Sequence, residues 1–275
     1  GNNVNTITGG TNFYGMLVGL TSAATTTSDY KNKIYGLSNS INAATNVYGL
    51  VLGTQGASSN CNVYNNIIGD LTSSAANSTT DAVRGISITS ASLTSNINLF
   101  YNTVYITGAA SSSTDFATSA LFHTYNGTST TASLTLNNNI FVNNYPSKGA
   151  GVSAAFKRSA ATDLLNYATA SNYNLFYGTN IYYDGTNTDV TMTAFKARVT
   201  TREAASFSEN PTWVSTTGSS SNFLHINTTT PTQIESGGTP ISSPISITDD
   251  YDADTRNVTT PDVGADEGTF TVAVP

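Results

Sequence analysis

Charged residues are scarce in this 275-residue chain, at 10% of the total against roughly 25% in a typical soluble domain. Ten Lys and Arg residues are scattered along it, and seventeen acidic residues give a net charge of −7. We therefore expect no nucleic-acid partner, because phosphate binding needs a clustered basic face. Apolar residues still reach 38%, which is enough for a core, so the low charge does not indicate disorder.

Cysteine and long apolar runs are also lacking. Cys61 is the only cysteine, which excludes an internal disulfide and a cysteine-based metal site. It lies within a repeat, so we expect a small buried residue, the alternative being a reactive thiol. No apolar run approaches the roughly 20 residues of a membrane-spanning helix, and we expect no membrane insertion. Asn, Thr, Ser, Gly and Ala replace the missing charge, a composition typical of exported proteins, which predicts an extracellular or cell-surface location.

The chain is rich in repeats. One series of blocks places Gly or Ser before an apolar run, with starts 34, 36, 34 and 34 residues apart, at Gly15, Gly49, Gly85, Ser119 and Ser153. A second series places Asn shortly before an apolar residue, with spacings of 33, 37, 36 and 35, at Ile34, Ile67, Val104, Ile140 and Leu175. Two independent series with the same period indicate a repeat protein. The opening in this same style suggests a processed form or a piece of a longer chain.

The blocks are short, rich in Val, Ile, Leu, Tyr and Phe, and separated by turn-forming residues, which is typical of strands. A short repeat buries its apolar face only by stacking on its neighbours. We therefore predict an all-β, right-handed parallel β-helix with about six rungs of ~35 residues, whose first rung begins at Val4 to Ile7. The best helical candidates are residues 154–170 and then 191–205.

The recurring asparagines have a structural role in such a fold. Asn tolerates left-handed backbone angles at corners, and its amide can bond to the same amide on the next rung. The candidates for this ladder or corner position are Asn66, Asn102, Asn139 and Asn174. A carbohydrate-contacting row is the alternative. Recurring tyrosines are expected to stack in or beside the core, or else to form a platform for sugars: Tyr35, Tyr48, Tyr64, Tyr105 and Tyr145.

The pattern changes after residue 178, where the 35-residue period fades and the charge rises. A solenoid needs a cap, because its last rung otherwise exposes an open core. We predict repeats over residues 1–178, irregular rungs and an irregular C-terminal cap over 179–268, and an exit strand or linker over 269–275.

The sequence resembles secreted right-handed parallel β-helix repeat proteins of Bacteroidetes and related bacteria over nearly the whole chain, most specifically in its C-terminal part. The matching pieces are Ser171–Tyr177, Ser208–Val214, Leu224–Ile226, Ile234–Gly237, Asp250–Arg256 and Pro261–Glu267. The last of these reads Pro-Asp-Val-Gly-Ala-Asp-Glu, an ending of the type this family carries. The resemblance implies a large surface or secreted protein, without implying a specific activity. Ala253 departs from the pattern, because the family usually has Gly there, and this puts a tight metal-binding turn in doubt.

Asp250, Asp252 and Asp254 have the spacing that begins a calcium-binding loop. The remainder of that loop is missing, because its sixth position is Thr255 and its twelfth is Pro261. A structural Ca²⁺ held by these aspartates is one hypothesis, and no other cofactor is expected.

The alternative for this acidic cluster is a turn whose charges pair with Arg256. Asp262, Asp266 and Glu267 could pair with the same arginine or join the ion site. His225 lies in an apolar stretch, and we expect a structural role for it.

Enzymatic candidates are few. A glycoside hydrolase needs two carboxylates within about 10 Å, and residues 1–150 offer no convincing pair. A polysaccharide lyase needs a base and a cation. His123 follows one apolar block, and Lys157 and Arg158 follow the next at the same repeat position, so adjacent rungs would bring them together. A polar turn flank explains these residues equally well.

Together these observations predict a structural or adhesive β-solenoid module of a bacterial surface or secreted protein, one able to self-assemble end to end or laterally. A carbohydrate-binding β-helix that contacts surface glycans is the first alternative, and a polysaccharide lyase is the second.

Overall fold

The computed structural model describes residues 2–3, 12–19, 22–53, 56–89, 94–125, 133–159 and 163–273. In these ranges the chain is nearly all β-structure, with one eight-residue helix. Its strands stack in parallel into a β-solenoid of about four turns, one strand of the four-stranded sheet belonging to each turn. The predicted start of the first rung, Val4 to Ile7, lies outside the described residues.

Three parallel sheets form the walls of the solenoid. Sheet 1 contains β2 (Phe13–Val18), β6 (Val47–Leu52), β10 (Asp81–Ile88), β13 (Ala117–His123), β16 (Ser153–Arg158), β18 (Tyr182–Tyr183) and β19 (Thr188–Asp189). Sheet 2 contains β3 (Thr26–Tyr30), β7 (Asn60–Tyr64), β11 (Asn96–Phe100) and β14 (Ser133–Asn137). Sheet 3 contains β1 (Asn2–Asn3), β4 (Lys33–Tyr35), β8 (Ile67–Gly69), β12 (Thr103–Ile106), β15 (Ile140–Asn143) and β17 (Leu175–Gly178).

Two short pairs complete the sheets. Strand β5 (Leu37–Asn39) pairs in parallel with β9 (Leu71–Ser73), and β20 (Pro231–Thr232) pairs in parallel with β21 (Thr271–Val272). Strand β19 is antiparallel to β18, and the other strand pairs are parallel.

The stacked register corrects the first repeat series by one or two residues in places, and the second by one. Gly85 is followed in register by Ala120, because Arg84 pairs with Ser119 and Ile86 with Leu121. A small residue is required at this inward position, since a Cβ on Gly85 would lie 2.1 Å from Val104 Cγ1. The block starts predicted at Ser119 and Ser153 therefore belong one and two residues later, at Ala120 and Ala155.

In the second series, Ile67 pairs with Lys33 and Thr103, so the predicted positions Ile34 and Val104 are each one residue late. Ile34 and Val104 instead face the interior, where they join one continuous apolar cluster. Cys61 also belongs to this cluster and is fully buried, as expected. Burial raises the pKa of its thiol to about 11.

A helix closes the far end of the column. Helix α1 (Met192–Val199) begins after Thr191, whose hydroxyl accepts a hydrogen bond from Ala194 N. Phe195 and Val199 are buried and belong to the interior cluster, so the helix covers the apolar end of the solenoid. The helical candidate at 191–205 thus contains a helix, whereas the candidate at 154–170 is wrong, because β16 occupies its start.

Residues 208–273, here called the strap, run back along the outside of sheet 3. The strap packs Ile226, Ile234, Val263 and Phe270 against the outer side chains of β15 and β17. It also places Phe223 and Leu224 against Ile67, near the other end of the column. Only residues 179–207 thus close the solenoid, and the strap occupies a flank that the predicted rung-and-cap division did not anticipate. The expected exit strand contributes Thr271–Val272, which pairs within the strap.

Candidate functional site

An internal asparagine ladder runs along the corner between sheets 2 and 3. The Nδ2 atom of each member donates to Oδ1 of the next at 2.9 Å, in the order Asn32, Asn66, Asn102, Asn139 and Asn174. Each Oδ1 acceptor also takes the backbone N–H of the preceding member, as Asn139 does from Asn102 at 3.0 Å. The four predicted residues are fully buried, so a carbohydrate row at these positions is not accessible. Asn32 is a fifth member, which the prediction missed.

Glu203 ends this ladder. Its carboxylate accepts from Asn174 Nδ2 at 2.9 and 3.2 Å, and also from the hydroxyls of Tyr167 and Ser206. Glu203 is fully buried, and burial raises its pKa. The Asn174 amide, which has no asparagine after it in the ladder, therefore donates to the Glu203 carboxylate instead.

The left-handed corner residue is the one before each ladder asparagine, and not the asparagine itself. Positive φ angles between 52° and 60° recur at Lys31, Asn65, Tyr101, Asn138 and Tyr173. Four of these side chains hold the strap: Lys31 pairs with Asp249 at 2.7 Å, Asn65 donates to the Asp249 carbonyl, and Tyr101 and Asn138 both donate to the Thr239 carbonyl. One row of corner residues thus anchors the strap along the column.

The predicted tyrosines do not form one row. Tyr145 is buried, and its hydroxyl donates to the Leu71 carbonyl. Tyr35 and Tyr105 contact strap aromatics, Phe223 and Trp213, with ring centroids 6.0 and 5.4 Å apart. The other two each stack on a tyrosine of the first turn: Tyr14 with Tyr48 at 5.7 Å, and Tyr30 with Tyr64 at 4.7 Å and 2°.

Sheet 2 carries two polar rows that the sequence reasoning missed. On one row, Asn96 Nδ2 donates to Asn60 Oδ1 at 3.1 Å, and Ser133 Oγ donates to Asn96 Oδ1 at 2.9 Å. On the next, Asn98 donates to Asn62 at 2.9 Å. The signal lay in the alternation of β7 and β11, Asn-Cys-Asn-Val and Asn-Ile-Asn-Leu, where every second residue is Asn. These rows leave amides and hydroxyls beside the Tyr30–Tyr64 stack.

Two of the three candidate lyase residues come together on sheet 1, whereas Lys157, the next residue along the strand from Arg158, lies on the other face of the sheet. His123 pairs in register with Arg158, and Arg158 Nε donates to His123 Nδ1 at 3.5 Å. All three side chains are buried, with 5% exposure for His123 and Lys157 and 1% for Arg158. Arg158 also donates to the Asp163 and Leu165 carbonyls at 2.7 and 2.6 Å. The N–H groups of the Arg158 guanidinium therefore bond to groups of this protein.

Asp81 is the centre of a separate charged cluster on sheet 1 that contains Lys157. Its carboxylate pairs with Lys157, with Arg84 at 3.0 Å, and with the Ser119 hydroxyl at 2.7 Å. The Arg84 guanidinium lies 3.3 Å from the centroid of the Phe122 ring. Residues of this cluster line a cleft of about 190 Å³ on sheet 1.

Electrostatics oppose proton transfer by His123. Burial, and then the nearby charge of Arg158, lower the pKa of His123 to about 3. Burial lowers the pKa of Lys157, although the Asp81 carboxylate acts in the opposite direction. The pKa of Asp81 falls because Lys157 and Arg84 together outweigh its burial. Asp81 and Lys157 thus form a buried ion pair on one face of sheet 1, and His123 lies beside Arg158 on the other face.

The three aspartates of the predicted calcium loop are not grouped as ligands. Asp250 is fully buried, and its Oδ1 accepts from the backbone N–H groups of Asp252 and Asp254 at 2.9 and 2.8 Å. Its Oδ2 accepts from Glu267 N at 2.9 Å. Asp250 therefore shapes a turn, in which Ala253 adopts a left-handed φ of 75°.

Arg256 and Glu267 form an ion pair that joins the segments Asp250–Arg256 and Pro261–Glu267. Arg256 Nη1 lies 3.0 Å from Glu267 Oε2, and both residues are buried. The Arg256 Nη2 donates to Asn65 Oδ1 and to the Gly264 carbonyl, each at 2.9 Å. Asp262 accepts from Ser236 N and Gly268 N, and burial raises its pKa to about 7. These acids, expected to pair with Arg256 or bind an ion, are held by the strap's own N–H groups and by Arg256.

A second acidic group contains a histidine. One ligand atom from each of His225, Asp252 and Asp266 lies within 4.8 Å of the other two. His225 Nε2 is 3.1 Å from Asp252 Oδ2, and His225 Nδ1 is 3.8 Å from Asp266 Oδ1. Burial raises the pKa of Asp266 to about 6 and also raises that of Asp252. No fixed sequence spacing links these three residues, so sequence reasoning could not group them.

Comparison with known proteins finds no matching family model, curated protein or solved structure. Within the described ranges, no helix combines the length and the apolar character needed to cross a membrane.

Proposed function

We propose that this chain is an extracellular structural or adhesive β-solenoid module of a bacterial surface or secreted protein, one that self-assembles. We further propose that the solenoid is right-handed and that its irregular ends extend it to about six rungs. The proposed secreted β-helix family, suggested by the residues of the strap, agrees with this role. Neither a cofactor nor a nucleic-acid partner is needed for it.

The observation that carries the proposal is the unbroken asparagine ladder from Asn32 to Asn174. Buried, mutually satisfied amides specify one arrangement of a polar core and hold successive turns in register. The strap adds a second connection along the same column through Lys31, Asn65, Tyr101 and Asn138. Both features reinforce the long axis, as a scaffold requires.

Self-assembly is supported by the end of the column opposite helix α1. Strands β2 and β3 are terminal in their sheets among the described residues. Three large side chains are exposed there: Tyr14 at 41%, Leu17 at 61% and Tyr30 at 49%. A terminal strand offers backbone groups for pairing with another chain. We propose that a second copy docks on this end.

Two experiments test the scaffold role. Negative-stain electron microscopy of the protein on its native cells, or in its native medium, should show fringes or ordered assemblies. Sedimentation velocity of the purified protein should show concentration-dependent association that Leu17→Lys abolishes. The matched control is Val258→Lys, because Val258 is 83% exposed on the strap. A monomer at all concentrations, together with isolated particles in the native sample, would refute self-assembly.

A carbohydrate-binding role is the second candidate. Sheet 2 supports it, because the half-buried row of Asn60, Asn96 and Ser133 shares this sheet with the exposed Tyr30 ring, and sugars combine flat stacking with hydroxyl hydrogen bonds. A glycan array should then give hits that Tyr30→Ala removes, while Val258→Ala retains them. An array without hits would eliminate this candidate.

The polysaccharide lyase is the function that the positions of these side chains support least. A lyase base must reach the substrate, whereas His123 is 5% exposed and held beside Arg158. Incubation with uronate polymers should therefore yield no unsaturated products absorbing in the near ultraviolet. Such products, lost in His123→Gln, would reverse this ranking.

A further inference from the structure

His225, Asp252 and Asp266 reach one point from three separate segments of the strap. His225 precedes Ile226, which packs on sheet 3, Asp252 lies in the turn shaped by Asp250, and Asp266 belongs to the final motif. Two donor atoms bound to one small divalent ion lie roughly 3.0–3.5 Å apart. The 3.1 Å separation of His225 Nε2 and Asp252 Oδ2 falls in that range.

This close contact is not an aligned hydrogen bond. His225 Nε2 is buried and has no hydrogen-bond partner among the described residues, although a carboxylate oxygen is 3.1 Å away. The carboxylate contact therefore satisfies this buried atom only incompletely, which carries a desolvation cost. A bound cation would satisfy it, because the imidazole lone pair and the carboxylate oxygen can share an ion without pointing at each other.

Neighbouring contacts hold one oxygen of Asp266 and orient the turn that carries Asp252. Asp266 Oδ2 accepts from Ile226 N at 2.7 Å, and Oδ1 lies 3.8 Å from His225 Nδ1, so Asp266 must shift toward Nε2 to share an ion with that atom. The backbone N–H of Asp252 bonds to Asp250, which orients the turn. The nearby positive groups are directed elsewhere, since Lys33 donates to the Ser220 carbonyl and Lys31 pairs with Asp249.

The donor set selects the class of ion. One imidazole with two carboxylates suits a divalent transition-metal ion such as Zn²⁺, Co²⁺ or Mn²⁺, whereas Ca²⁺ prefers six to eight oxygen ligands. Asp252 is 40% exposed in its side chain, and His225 is 21% exposed, so water can complete the coordination sphere.

We propose that His225, Asp252 and Asp266 bind one divalent transition-metal ion, which staples three segments of the strap together. The ion would hold the turn at Asp252 against the final motif. It would thereby reinforce the attachment of the strap to sheet 3. This site is distinct from the Asp250, Asp252 and Asp254 set expected from the sequence.

The test is metal binding by the full chain after dialysis against a chelator. Isothermal titration with Zn²⁺ should show one equivalent bound, and Co²⁺ should give a visible absorption band typical of nitrogen and oxygen ligands. Asp252→Asn and His225→Gln should weaken binding at least tenfold. Asp254→Asn is the matched control, because it removes the same charge from the same turn outside the cluster, and it should bind as the original chain does. Circular dichroism checks that each variant folds.

Three results would overturn the proposal. The first is the lack of stoichiometric Zn²⁺ or Co²⁺ binding by the folded chain, which would make the cluster a histidine that only contacts two carboxylates. The second is unchanged binding in Asp252→Asn. The third is tight Ca²⁺ binding that Asp254→Asn weakens, which would assign an ion to the aspartate turn instead.

Discussion

The guanidinium carbon of Arg256 lies 3.8 Å from the centre of the Tyr101 ring. Tyr101 holds a left-handed corner of the third turn, and Arg256 belongs to the strap. Arg256 also bonds to Asn65 of the preceding corner and to Glu267. A single side chain therefore joins the strap to two successive turns.

Replacement of Arg256 should loosen the strap. Arg256→Gln leaves the Glu267 carboxylate buried without its partner, and we expect the free energy of unfolding to fall by about 3–5 kcal/mol. Urea unfolding followed by the fluorescence of Trp213, which lies in the strap, measures this change. The more exposed pair of Lys31 with Asp249 is the control, and Lys31→Gln should cost about 1 kcal/mol or less. Equal losses in the two variants would contradict this account.

The centre of the ladder should be more sensitive than the outer polar rows. Asn102→Ala removes hydrogen bonds to Asn66, Asn139 and the Val63 carbonyl, leaving buried groups unpaired. We expect a loss of about 2–5 kcal/mol in unfolding free energy. Asn96→Ala, on the outer face of the same turn, should lose about 1 kcal/mol or less. Chemical denaturation of both variants measures the two losses. A larger loss of unfolding free energy for Asn96→Ala than for Asn102→Ala would be inconsistent with the ladder's role.

The buried His123 should make the fold acid-sensitive. Its folded pKa of about 3 lies below the ordinary value of about 6.5, so the unfolded chain takes up the proton first. Stability from this group is therefore complete above pH 6.5 and is lost as the pH falls toward 3. The loss should reach about 3 kcal/mol at pH 4. His123→Gln should lack this part of the pH dependence in urea unfolding at pH 7 and pH 4. Parallel pH profiles for the two proteins would disprove it.

Two strap turns should respond to glycine in opposite ways. Ala253 has a φ of 75° and is exposed, so Ala253→Gly should raise the unfolding free energy by about 0.5–1 kcal/mol. Gly264 has a φ of 97°, and a Cβ there would lie 2.5 Å from Ile140 Cδ1. Gly264→Ala should therefore cost more than about 2 kcal/mol. Thermal unfolding of both variants checks the signs, and a neutral Gly264→Ala would be the failing result.

The repeat and the ladder were predictable because each turn repeats the same physical problem. Stacked strands need an apolar residue facing inward, and the buried corner needs an amide that bonds to its neighbours, so the period appears directly in the sequence. The corner angle was harder to assign, because Lys31, Asn65 and Tyr101 share a backbone conformation and no side-chain chemistry. Single-residue shifts, as at Ser119, followed from an alanine replacing a glycine at the inward position.

The strap and its clusters were not predictable from spacing. The strap crosses the solenoid turns, so its partners lie far apart along the chain, as Arg256 and Asn65 do. His225 likewise meets Asp252 and Asp266 only after the strap has folded. Lys157 and Asp81 are 76 residues apart, and two turns of stacking bring them together. Short sequence patterns therefore do not predict such long-range contacts.

The ladder of asparagines has a direction. Each side-chain amide donates its hydrogen bond to the asparagine of the following turn, so all the bonds point the same way and the row ends at Asn174. An asparagine side chain both accepts and donates hydrogen bonds, so it can bond to the turn before it and to a turn after it. The carboxylate of Glu203 only receives. Glu203 thus ends the row of side-chain hydrogen bonds at Asn174 without leaving its amide donor unpaired.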